Sequence, residues 1–158
     1  MSQSLHIVIF QLGDESFAAE TSQIKEIQKV QNISPFPKQP AWAKGVITLR
    51  ETIVTVVDLA KKLEIELSQT PMRLILVDMK TAEIGFLVTT VSEARSVMAN
   101  ALVPAPTAFL ENLPVGSVKG LLHIPERPLL ILLDLSRLMS ESEMASLLAL
   151  SSPDHDRA

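Results

Sequence analysis

Few side chains in this sequence could do chemistry, and those few are scattered. Cysteine is absent, which removes thiolate nucleophiles, disulfides and Cys-ligated metals together and leaves nothing that requires an oxidising compartment. The three histidines, His6, His123 and His155, fall on a strand, on a second strand and in the C-terminal tail, with no partner at metal-ligand spacing. Paired carboxylates such as Asp14 with Glu15, or Glu64 with Glu66, sit in polar turns or on helix surfaces, where solvation explains them without an acid/base dyad. The five glycines form no phosphate-cradling or dinucleotide pattern, and no GxSxG occurs. The expectation is a protein that is not an enzyme, with no catalytic residues, no metal and no cofactor.

Two side chains invite a binding role instead. Trp42, the only tryptophan, follows the connector SPFPKQPAW and reads as a wedge packing that connector onto the body of the protein. Arg50 closes the segment KGVITLR, where the pleat sends Ile47 and Leu49 to one face and Val46, Thr48 and Arg50 to the other. With Ile47 and Leu49 facing inward, the Arg50 guanidinium points outward at the mouth of a turn, where position alone favours a solvated arginine over an anchor for a partner's carboxylate or carbonyls.

Composition narrows the class. With 47% hydrophobic and 20% charged residues over 158 positions, the chain reads as one folded globule or two small lobes with a shared interface. A net charge of -4, only six aromatics and no tyrosine argue against nucleic acid, which requires clustered cations for counterion release and rings for stacking. The longest apolar runs, such as Leu129 to Leu133, are far short of the roughly 20 residues that span a bilayer. The N-terminus lacks a basic region and a cleavage site, so a cytoplasmic location without membrane insertion is expected.

The elements that must position Arg50 come in duplicate. KGVITLRETIVTVVDL, from Lys44, returns as KGLLHIPERPLLILLDL, from Lys119. The Lys-Gly pairs are 75 residues apart and Asp58 and Asp134 are 76 apart, so the second copy carries one extra residue, most economically in the turn around Pro125 to Pro128. Further back, Ile7 to Ile27 aligns with Leu74 to Ala94 at an offset of 67, with Glu26 meeting Glu93. Two blocks in the same order indicate a duplication. The apolar segments LHIVIFQL, IVTVV, RLILVDM, IGFLV and LLILL are bounded by turn formers and read as strands, about five per half and antiparallel, which suggests two small barrels packed together. Asp58 and Asp134 are placed to cap helices over LAKKLEIEL and LSRLM. Ser140 and Glu143 have capping-box spacing ahead of an apolar helix expected to dock on the second lobe. The expected organisation is a single domain with a first half over 5–67, a second over 72–139, a C-terminal helix over 140–150 and a disordered tail over 151–158.

From Phe10 through Leu138 the chain resembles the CheW family, the coupling proteins of bacterial chemosensory arrays. The matching pieces are FQLGDESF, SQIKEI, PFPKQPAWAKG, GVITLRETIVTVVDL, EIGFLVTTVSEA and LLILLDLSRLM, and the tail SESEMASLLALSS is similar to the C-terminal helix of enterobacterial-type members. The resemblance implies a mainly β fold of two intertwined five-stranded SH3-like β-barrels around a shared core. It implies a non-enzymatic scaffold that binds the cytoplasmic tip of methyl-accepting chemoreceptors and the regulatory domain of a CheA-type histidine kinase at membrane-associated arrays, and that is a monomer in isolation. Carried over by residue, the receptor-facing groove involves Ile24, Gly45, Arg50, Val91 and Ala94, and the kinase-facing edge involves Thr21, Glu26, Leu49 and Glu51. Where members usually read Asn-Leu-Arg-Gly this chain reads Thr48-Leu49-Arg50-Glu51, and Thr55 replaces a frequent proline. These departures leave open a paralogue of a pilus or surface-motility array that binds only one partner; a small oligonucleotide-binding β-barrel is the remaining alternative.

Overall fold

The computed structural model describes residues 3–36, 40–67, 70–111, 113–127 and 129–151. The first half contributes β1 (Ser4–Leu12), β2 (Glu15–Glu20), β3 (Glu26–Lys29), β4 (Ser34–Pro35), β5 (Ala43–Leu49), β6 (Thr52–Asp58) and α1 (Leu59–Lys62). The second contributes β7 (Arg73–Asp78), β8 (Glu83–Val88), β9 (Thr90–Met98), β10 (Leu102–Val103), β11 (Val118–Leu122) and β12 (Leu130–Leu133), and α2 (Glu141–Ser151) follows. The strands form two sheets of six, in the orders β10-β11-β12-β2-β1-β9 and β3-β7-β8-β6-β5-β4.

Each sheet is assembled from both halves, and the two are images of each other under the sequence repeat. The first half lends β1 and β2 to the first sheet, and the second half returns β7 and β8 to the other. The registers agree residue by residue. Ile131 pairs with Phe17 and Leu132 with Ala18 in parallel, where Thr55 pairs with Ile84 and Val56 with Gly85. These two parallel ladders correct the antiparallel reading of the sequence. The hairpin strand of one half returns beside a strand of the other, and that long connection allows parallel pairing, which a short hairpin forbids. The expected five strands per barrel become six per sheet because β4 and β10, two residues each, pair with β5 and β11. No closed barrel ladder is present among the described residues.

The exchange explains why so many strands read as continuous apolar runs. In β7, Leu74 and Leu76 face a cluster with Ile47, Val54, Val56 and Leu87 inside one sheet. Its alternate residues, Ile75 and Val77, face a central cluster shared with Phe10, Phe17 and Phe86. β1 does the same, with Ile7 and Ile9 inside the first sheet beside Leu122, Leu130 and Leu132, and Phe10 and Leu12 in the center. Burial on both faces suppresses polar alternation.

Helices are shorter than the sequence suggests. Asp58 accepts from the Lys61 amide at 3.2 Å, but α1 ends after one turn. Glu64 adopts φ +59°, and the Glu64 and Ile65 amides return to the Lys61 and Ala60 carbonyls, a Schellman closure. Asp134 caps only a 3-10 turn, Leu135–Arg137. In α2, the Glu143 amide donates to Ser140 Oγ at 3.1 Å and the Ser140 amide to Glu143 Oε1 at 2.8 Å, the two reciprocal bonds of a capping box. α2 docks on the central cluster through buried Leu147 and half-buried Met144, and Glu143 pairs with Lys62 of α1 at 3.2 Å. It therefore rests on ground shared by both halves rather than on the second alone. Ser151 completes the helix; the remainder of the tail expected to be disordered, 152–158 with His155, lies outside the described residues.

Candidate partner-binding site

β5 and β6 are joined by a two-residue loop, Arg50-Glu51, with Leu49 opposite Thr52. Both loop residues lie in the left-handed region, Arg50 at φ +47° and Glu51 at φ +68°, as a type I′ turn requires for the twist of a hairpin. Such a turn favours Gly or Asn, and here it holds Arg and Glu. Replacing Glu51 by Gly is expected to raise stability by about 1 kcal/mol, read as a higher urea midpoint at unchanged slope. An unchanged or lower midpoint removes the claim of strain.

The turn projects the Arg50 guanidinium outward, as the pleat predicts, and the side chain is 64% exposed. It does not stand alone: it donates to Glu26 Oε2 on β3, and Gln28 donates to the other carboxylate oxygen. Strands β3 and β5 stand near opposite ends of their sheet, so this ion pair bridges the curled sheet's open seam. The Arg50 hydrogen bond, aided by Gln28, holds the Glu26 carboxyl below its ordinary value, and the same bond raises Arg50. Next to it, Lys25 pairs with Glu83 and is raised by that hydrogen bond.

The remaining expected residues take distinct places. Glu51 is exposed beside Arg50, whereas Leu49 is half-buried against the Ile47 and Val54 cluster. Thr21, in a 3-10 turn, donates to the His6 carbonyl at 3.2 Å. Ile24 and Val91, equivalent by the repeat, both pack on the central cluster. Ala94 lies exposed on β9 opposite Val8. Gly45 is buried at a bulge in β5, φ +148°, against the backbone of Ser34 and Pro35. The structure thus joins Arg50 with Glu26, two residues that the resemblance divides between a receptor face and a kinase face.

Sequence reasoning missed two polar features. Gln23 donates to Asp134 Oδ1 at 2.7 Å and accepts from the Leu135 amide at 2.9 Å, tying the first half's crossover to the end of β12. Glu93 pairs with Arg127 at 2.8 Å; its alignment with Glu26 was visible, but the extra turn residue displaced the arginine from its counterpart. Trp42 packs on the central cluster as a wedge, with Lys62 Nζ 5.6 Å above its ring. Of the histidines, His6 Nδ1 lies 2.8 Å from Ser96 Oγ, and His123 is exposed just past β11. No group of three metal-ligating side chains occurs among the described residues.

Two further carboxyls carry a pH dependence. Partial burial pushes Asp134 up, but donors from Ser136 and Gln23 outweigh it and hold the carboxyl below its ordinary value. Burial likewise pushes Glu143 up, but the Ser140 amide with Lys62 outweighs it and holds the carboxyl below its ordinary value. Groups with depressed folded values stabilise the fold above their unfolded values and cease to do so as pH falls through the folded ones. Melting temperature is expected to fall from pH 5 downwards, and less steeply in Asp134→Asn. A wild-type melting temperature flat from pH 7 to 3 contradicts this.

A family model described as a CheW-like domain matches residues 6–143. The chain belongs to the CheW family. It is 30% identical over 140 residues to the chemotaxis protein CheW of Klebsiella aerogenes, covering 87% of this chain and 83% of that protein. It is 31% identical over 140 residues to the chemotaxis protein CheW of Thermotoga maritima, covering 88% and 90%. The crystal structure of the scaffolding protein TtCheW from Thermoanaerobacter tengcongensis matches with a TM-score of 0.77 at 25% identity, over 87% of this chain and 89% of that one. CheW proteins are scaffolds of chemotaxis signalling and not enzymes, which accords with the dispersed titratable groups described above. No helix among the described residues is long and apolar enough to cross a membrane.

Proposed function

We propose that this CheW protein joins the cytoplasmic tip of a chemoreceptor to the regulatory domain of a CheA-type histidine kinase, so that receptor state controls autophosphorylation in a cytoplasmic array. The carrying observation is the Arg50 and Glu26 rim, where an exposed guanidinium and a carboxylate close the seam of a sheet. Ile24 and Val91, packed on the central cluster, offer aliphatic surface to a helical receptor tip, and Arg50 with Glu26 fixes register at the rim. Thr21, Glu26, Leu49 and Glu51 form the kinase-facing edge in this reading, with Gly45 and Ala94 completing the receptor side.

One observation favours a narrower adaptor that serves a single partner. Arg50 is engaged by Glu26, and the neighbouring Glu51 holds a second carboxylate at the turn, so a partner's acid competes with two resident ones. Titration calorimetry against the kinase regulatory domain of the same organism, and separately against a receptor-tip fragment, tests both readings. Micromolar binding to each supports the coupling protein. Binding to one alone supports the narrower adaptor, and binding to neither rejects both.

A further inference from the structure

Three of the four sheet edges are short. β4 and β10 are two residues each, β4 ends on Pro35, and β3, four residues long, is crossed by the Arg50 clasp. Such edges leave little backbone for another chain to pair with. β9 is different: it runs nine residues, stands at the end of its sheet and pairs with β1 alone. The other side of its backbone ladder has no backbone partner among the described residues. Its sequence is also self-complementary. Val91-Ser92-Glu93-Ala94-Arg95-Ser96-Val97 reads the same in both directions except at the charges flanking Ala94, which are opposite in sign. Two copies laid antiparallel about a two-fold axis at Ala94 place valine against valine, serine against serine, and Glu93 of each copy against Arg95 of the other.

We infer that β9 is a homotypic pairing edge, which joins two copies of this chain antiparallel at Ala94 by adding one sheet to the other. Charges on an edge strand ordinarily keep copies apart; here the two signs face each other across the axis, and opposite charges directly across a ladder stabilise it where like charges oppose it. The groups are available. Arg127 and Arg95 of the same chain both reach Glu93 Oε1, and Oε2 has no partner among the described residues. Arg95 is 38% exposed, and Ala94 and Ser96 are exposed. The repeat supplies the contrast, because β3 carries Ile27 and Gln28 where β9 carries Ala94 and Arg95, so that edge lacks the second charge. The β9 bulge at Ser92, between the Ile9 and Phe10 registers, ends the ladder after a short run. The area buried is that of a transient association, and the monomer implied by the family resemblance is the dilute state. Pairing covers Ala94, which lies on the receptor side in the reading above, so a paired copy is withheld from a receptor; this consequence rests on that reading, and the pairing does not.

Sedimentation equilibrium of the full chain, from micromolar to millimolar concentration at low salt, tests the pairing. A reversible monomer–dimer equilibrium is expected in the wild type, with loss of the dimer in Arg95→Glu and in Glu93→Arg, each of which sets like charges across the axis. An equimolar mixture of the two variants is expected to restore the dimer, because one then carries only acids at the two positions and the other only bases. Glu93→Arg also breaks the Arg127 clasp, so far-UV circular dichroism checks its fold; should it not fold, Arg95→Lys, which keeps the charge, must dimerise where Arg95→Glu does not. A wild type that stays monomeric at millimolar concentration, or charge-reversed variants that dimerise as it does, overturns the inference and leaves the proposed function standing. Adding a receptor-tip fragment to the dimer tests the consequence. Dissociation into one-to-one complexes supports it, and a dimer that binds the fragment intact overturns it. A fragment that does not bind at all rejects the receptor reading and leaves the pairing in place.

Discussion

Gly45→Ala is expected to destabilise the protein by about 3 kcal/mol or more, lowering the melting temperature by roughly 6 to 12 °C. Gly45 sits at φ +148° in a bulge of β5, and a Cβ there would be driven into the backbone carbonyl of Ser34. Backbone cannot rotate away as a side chain can, so either β4 separates from β5 or the bulge collapses. The repeat supplies an internal control. Gly120 occupies the equivalent bulge of β11 at φ +155°, where a Cβ would lie 2.5 Å from the Val103 carbonyl oxygen. Gly120→Ala should fall by a comparable amount, whereas Gly85, without a positive φ and facing only side chains at 3.2 Å or more, should tolerate alanine far better. Differential scanning calorimetry of the three variants decides the matter, and a Gly45→Ala protein melting like wild type refutes the bulge argument. Loss of receptor binding in a Gly45 variant would then report a disrupted sheet rather than a lost contact.

Arg50→Ala is expected to do the reverse, weakening partner binding by roughly 5- to 150-fold, or about 1 to 3 kcal/mol, with little change in melting temperature. The guanidinium is mostly exposed, and exposed ion pairs contribute about 0 to 1 kcal/mol. Glu26→Gln provides the complement. It loosens the clasp but frees Arg50, so partner affinity holds or rises if the guanidinium makes the contact. Should Arg50→Ala bind normally while Glu26→Gln loses binding, the carboxylate is the recognising group and the assignment to Arg50 is wrong.

How much of this could be read from the sequence depended on periodicity and repetition. The duplication, the β content, the Asp58 cap and the Ser140 capping box were legible because each rests on local pattern. Pairing partners were not. Nothing in Phe17 or Ile131 alone states that they will lie side by side in parallel, since that follows from an exchange of strands between halves. The length of α1 was misread because Glu64, an ordinary helix former, takes the left-handed closing position usually given to Gly. The site was half legible. The pleat shows that Arg50 points outward and the family resemblance gives it a binding role, but its partner Glu26 lies across a seam that exists only once the sheet has curled, and Arg127 was hidden by one inserted residue.

The strand exchange also sets the order in which the chain can fold as it is made. The first sheet places β2 beside β12, so it is not complete until Leu133 has been synthesised. Until then the outer edge of β2 stays open: β1 and β2 form a hairpin that β9 can join only on the β1 side, while β3, β5 and β6 wait for β7 and β8. Neither half can be released from the ribosome as a finished unit. Nascent chains that stall before β12 carry an unpaired, aggregation-prone edge, and high sequence separation of contacts makes closure slow. The hazard of aggregation is therefore expected to be greatest in the interval in which β1 to β11 have been made and β12 has not.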